Sequence, residues 1–115
     1  MSMSKIKELY DSVRGKDIYF EGGNKEIIGE IINTFKQDKD KFLFFDSDKL
    51  LLKCLSENEM YSEFKNENCD NNPLIKTFDD FLIYSCIKCL KMSDIPYDEI
   101  IDCLKEHRLV KNELC

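Results

Sequence analysis

A chain of 115 residues has room for one hydrophobic core and a short appendage, which excludes a multidomain architecture. Its formal net charge of −6, with Arg14 and Arg108 as the only arginines, argues against a grip on a nucleic-acid backbone through clustered basic side chains. No DNA contact is expected, and any RNA contact would be indirect. No apolar run approaches the roughly eighteen residues that a membrane span needs, so no membrane contact is expected either.

The opening segment MSMSKIKELYDS has no apolar stretch of the signal-peptide type. The expectation is therefore a soluble, intracellular protein in the cytoplasm, with the nucleus as a second compartment. In such a setting Cys54, Cys69, Cys86, Cys89, Cys103 and Cys115 are expected to be free thiols, mostly inside hydrophobic stretches.

Ile6, Leu9, Tyr10 and Val13 recur at helical spacing behind Ser4, which predicts a short amphipathic helix over residues 4–13. The β-forming segment KDIYFE, residues 16–21, runs into Gly22-Gly23-Asn24 and predicts a strand ending in a turn. In KEIIGEIINTF, the residues Ile27, Ile28, Ile31, Ile32 and Phe35 fit either a helix or the two faces of a strand. The strand is preferred because isoleucine dominates and Gly29 would cost about 1 kcal/mol inside a helix. A glycine turn after a strand also asks for an antiparallel partner.

Beyond the polar KQDKD loop, KFLFFD and KLLLKCL are two apolar runs around Ser47-Asp48, the signature of a hairpin, and EMYSEFK, residues 59–65, predicts a further strand. Residues 66–73 (NENCDNNP) are a polar linker. Thr77 then caps a helix over 78–91, with Asp79 and Asp80 in its first turn and Lys88 and Lys91 in its last. Ser93-Asp94-Ile95-Pro96 breaks it, and Ile100, Ile101 and Leu104 resume helical spacing to about His107. The expected fold is α+β: an N-terminal helix, five short antiparallel strands curled into a small barrel over residues 1–65, and a helical extension over 74–115 packing on it.

The order helix, VRGKDIYF, turn, NKEIIGEII, polar loop and FLFF resembles the first motif of the Sm and Sm-like proteins. That resemblance implies a bent five-stranded barrel in which Gly15 opens the first strand and Gly29 lets the second one bend. Phe35 and Lys41-Phe42 stand where RNA-binding members carry Asp and Asn, and Ser56-Glu57-Asn58 replaces the second motif, so the resemblance implies loss of the uracil pocket. With its extension FDDFLIYSCIKCLKMSDIP the chain is similar to the Gemin group of Sm-like proteins in the survival-of-motor-neuron (SMN) complex. This similarity implies a non-catalytic adaptor that forms a heterodimer with another Sm-like subunit through edge strands, in the assembly of spliceosomal small nuclear ribonucleoproteins and so in mRNA splicing.

Edge strands present unpaired backbone groups to a partner. The candidate partner-binding residues are Leu51, Leu52, Lys53, Cys54, Met60, Tyr61 and Phe64, about half of which fill the core instead if strand faces alternate. Cys86-x-x-Cys89 with Cys103 and His107 has the donor types of a zinc site, but the cysteines fall on the apolar side of a capped helix, where buried thiols are the expectation, with no metal and no cofactor. Cys103 and His107 form an i, i+4 pair without a third group, so no enzyme is expected. A different reading of the same charge balance is an acidic inhibitor or immunity-type protein that masks a basic partner surface.

Overall fold

The computed structural model describes residues 3–20, 23–66 and 75–106. Along these the chain forms α1 (Met3–Arg14), α2 (Lys25–Gln37), β1 (Lys41–Asp46), β2 (Leu51–Ser56), α3 (Glu57–Asn66), α4 (Phe78–Met92) and α5 (Tyr97–Glu106). The class is α+β. The sheet has two antiparallel strands, which overturns the five-stranded Sm-like barrel.

Three predicted strands are not strands. Residues 18–20 run extended outside any ladder, and Phe20 makes an isolated antiparallel bridge to Ser93; Glu21 lies outside the described residues. The isoleucine-rich segment is helix α2. Asn24 caps it by accepting from the N–H groups of Glu26 and Ile27 at 3.0 and 3.3 Å, and Ile32 and Phe35 are buried from its inner face. Burial of that face outweighs the modest β-preference of isoleucine and the glycine within it. The third segment is helix α3, started by a reciprocal capping box. Ser56 Oγ accepts from the Glu59 N–H at 3.2 Å, and Glu59 Oε1 accepts from the Ser56 N–H at 3.0 Å.

Neither barrel glycine holds its expected place. The Gly15 N–H donates to the Asp11 and Ser12 carbonyls at the end of α1, and Gly29 sits in the middle of α2. The helix predicted over 78–91 is α4, and Thr77 and Asp80 form its capping box. The linker over 66–73 lies, but for Asn66, outside the described residues.

The hairpin is present as KFLFFD and LLKCLS, with Phe42 opposite Leu55, Phe44 opposite Lys53 and Phe45 opposite Leu52. Side chains alternate across the sheet, so Phe42 and Phe44 share one face and Leu43, Phe45 and Leu52 the other. Phe42 meets the Tyr10 ring edge-on at 4.8 Å and Phe44 lies 6.2 Å from Phe81 of α4. Ile28 of α2 shares a cavity with Phe45 and Leu52. Ile6, Leu9 and Tyr10 of α1, Leu82 and Leu90 of α4 and Ile100 and Leu104 of α5 are all but fully buried in one cluster with the hairpin's Phe42 and Leu43. The Tyr10 hydroxyl donates to the Leu82 carbonyl at 2.9 Å, pinning α1 to α4.

Candidate protein-docking surface

Two hydrogen bonds fix which backbone groups of the hairpin face outward. The Lys41 carbonyl accepts from Arg14 Nη2, and the Ser56 N–H donates to Glu59 Oε1. In an antiparallel ladder, residues whose backbone groups turn outward alternate with those bonded across it. By that alternation Lys41, Leu43 and Phe45 face away from β2, so their partners Ser56, Cys54 and Leu52 face away from β1. Arg14 takes up an outward carbonyl of β1. On β2, the outward N–H and C=O of Leu52 and Cys54 have no partner among the described residues.

The seven partner-binding candidates divide among three surroundings. Leu51 opens β2 and is 43% exposed, while Leu52 is buried against α2. Lys53 pairs with Asp46 at 3.5 Å, and Cys54 is half-buried. Burial pushes the Cys54 thiol up from its ordinary value. Tyr61 is exposed but meets Phe78 edge-on at 5.2 Å, and Phe64 lies 5.5 Å from Phe81, so both belong to an aromatic cluster linking α3 to α4. Met60 is fully buried. The structure thus keeps the four β2 residues on one strand and places the three α3 residues in the core and in the aromatic cluster with α4.

Cys86, Cys89 and Cys103 are buried. Burial drives the Cys86 thiol well above its ordinary value, reinforced by Cys89 and Cys103, and pushes Cys89 up to about 12. Neutral thiols of this kind are poor metal ligands and poor nucleophiles. Among the described residues, no group of three His, Cys, Asp or Glu side chains is placed to hold a metal ion; His107 lies outside them.

A second surface escaped the sequence reading. Lys25, Ile28, Gly29, Ile32, Asn33 and Lys36 form one stripe along α2, and with Ile18, Tyr19 and Phe20 they line a groove of about 310 Å³. A neighbouring hollow of about 270 Å³ shares Phe20 and Ile28 and continues past Gly23 to Leu50, Leu52 and Met92. Tyr19, Leu50 and Met92 are exposed along this path, Leu50 at 77%. The available signal was Gly29, a glycine within an otherwise helical spacing.

Compared with known proteins, the chain matches no family model, no curated protein and no solved structure. Among the described residues, no helix is long and apolar enough to cross a membrane.

Proposed function

We propose that this chain is a non-catalytic protein-interaction module that binds an extended segment of a partner protein along the outer edge of β2. The observation that carries the proposal is the unpartnered outward N–H and C=O of half-buried Cys54 on β2, the strand that exposed Leu51 opens; Leu52 between them is buried and does not contribute. A strand laid there would satisfy those groups through main-chain hydrogen bonds, as in sheet augmentation. Pairing with an Sm-like subunit in ribonucleoprotein assembly drew on a barrel that the chain does not form, so the partner class is kept to proteins presenting a free strand.

The test is a Cys54→Pro variant. Proline at an outward position deletes a docking N–H and leaves the bonds between β1 and β2 in place. Peptides selected on the wild-type chain from a random linear library should alternate apolar and polar residues, slow amide exchange at Cys54, and fail on the folded variant. Equal binding to the variant, or no slowing at the Cys54 amide, would overturn the proposal.

A further inference from the structure

From the groove along α2, which is separate from the strand edge, we infer a second docking site: it receives an amphipathic α-helix of a partner protein, with carboxylates at the helix's two ends meeting Lys25 and Lys36. The inference does not depend on the β2 proposal.

Two residues on this path are locally unfavourable choices: no neighbour needs a glycine at position 29, and the hairpin turn that sets a positive φ at position 50 would take Asn or Gly more readily than Leu. Gly29 stands mid-helix, where glycine is the poorest residue after proline, yet a Cβ built there meets no atom within 4 Å. No internal neighbour needs the missing side chain. Leu50 holds φ at +51°, a left-handed conformation that disfavours a bulky side chain, and it projects into solvent at 77% exposure. Both line the continuous apolar path through Phe20 and Ile28. Local penalties without an internal return gather at binding surfaces, where the return comes from the partner. A glycine facing the groove lets another backbone come close, and a leucine at the hairpin tip supplies apolar area.

The shape and the polar groups select a helix. One wall is a helix face, and the other is residues 18–20, whose Tyr19 carbonyl already accepts from the Asp94 N–H at 3.2 Å. An extended peptide would find at most these three residues of main chain to pair with, whereas a helix satisfies its own backbone along the whole groove. Lys25 and Lys36 stand eleven residues apart on α2, about 16 Å or three turns, so a matching helix of about fourteen residues spans them. Neither lysine makes an ion pair among the described residues. On a chain of net charge −6 they form a local positive pair that sets the partner's orientation more than its affinity.

A random sixteen-residue peptide library displayed against the full wild-type chain, and depleted on Gly29→Leu, tests this. Leucine at Gly29 fills the groove while favouring the helix, so the variant should melt no lower than wild type and lose about tenfold or more in peptide affinity. The depleted pool should carry apolar residues at i, i+3 or i+4 and i+7 with acidic residues toward both ends. A synthetic member should gain helical circular dichroism on binding and shift the amide resonances of Tyr19, Ile28, Gly29 and Ile32. Lys25→Glu with Lys36→Glu should reverse the preference between Glu-ended and Lys-ended versions of that peptide, an effect that added salt diminishes. An empty depleted pool, peptides that bind in extended form, or equal binding to Gly29→Leu would overturn the inference. Extended peptides that instead protect the Cys54 amide would count for the β2 edge alone.

Discussion

The guanidinium of Arg14 lies 4.6 Å from the centre of the Phe35 ring while its Nε donates to the Phe35 carbonyl at 2.9 Å. Phe35 belongs to the last turn of α2, whose carbonyls lack intrahelical partners, and a cation there also meets the negative end of the helix dipole. The same side chain donates to the Lys39 and Lys41 carbonyls and pairs with Asp11 at 2.7 Å. One buried arginine therefore ties α1, α2 and the start of β1. Arg14→Lys keeps the charge but loses the planar fork, leaving buried carbonyls unpaired. The expected loss is about 2–3 kcal/mol, read as a lower urea midpoint at unchanged slope.

Gly29→Ala should stabilise the chain by about 1 kcal/mol, because alanine is the better helix former and its methyl group enters open space. Thermal melting checks this. A destabilised Gly29→Ala would mean that the groove closes on α2 in solution.

How much of this could be read from the sequence depended on whether one signal stood alone. The Ile6, Leu9, Tyr10, Val13 spacing and the Thr77 cap had no competitor, and α1 and α4 lie within a residue or so of their predicted bounds. In α2 the isoleucines and Gly29 argued for strand and the spacing for helix; Asn24, read as a turn residue, is in fact the N-cap, and the core that buries Ile32 and Phe35 decides between them. In α3 the deciding signal was present at Ser56-x-x-Glu59, but it was split between a turn at Ser56-Glu57-Asn58 and a strand beginning at Glu59. Of the candidate surface, the β2 edge was legible because a hairpin has outer edges wherever it lies. The groove was not, because it joins Tyr19, Gly29 and Met92 from three separate parts of the chain.

The buried thiols predict how stability falls in alkali. Below about pH 9, the ordinary thiol value, Cys86 and Cys89 are protonated in both the folded and unfolded states. As pH rises toward 12 the unfolded chain ionises first, because burial holds the folded thiols neutral. The unfolded state is then favoured by on the order of 2–3 kcal/mol per pH unit for the two groups together. Tyr10, raised well above 10.0 by burial, acts in the same direction at higher pH. Urea midpoints measured at pH 8, 9 and 10 should drop steeply over the last step, and Cys89→Ala should flatten that drop. Iodoacetamide at pH 8 should label Cys86, Cys89 and Cys103 only in denaturant, as peptide mapping would show.

Leu50 gives a case in which stability and binding should move in opposite directions. The hairpin tip is held by Asp46, whose carboxylate accepts from the Asp48 and Lys49 N–H groups at 3.1 and 3.2 Å, so the turn does not rest on the leucine side chain. Asparagine tolerates the left-handed backbone that leucine resists, and Leu50→Asn should raise stability by about 1 kcal/mol. It also removes the most exposed apolar side chain from the end of the groove, so peptides selected on the wild-type chain should bind the variant more weakly at identical folded content. A Leu50→Asn protein that is both more stable and equally competent to bind would show that the leucine serves no partner at the groove, and would leave Gly29 as the sole unfavourable residue still to be explained there.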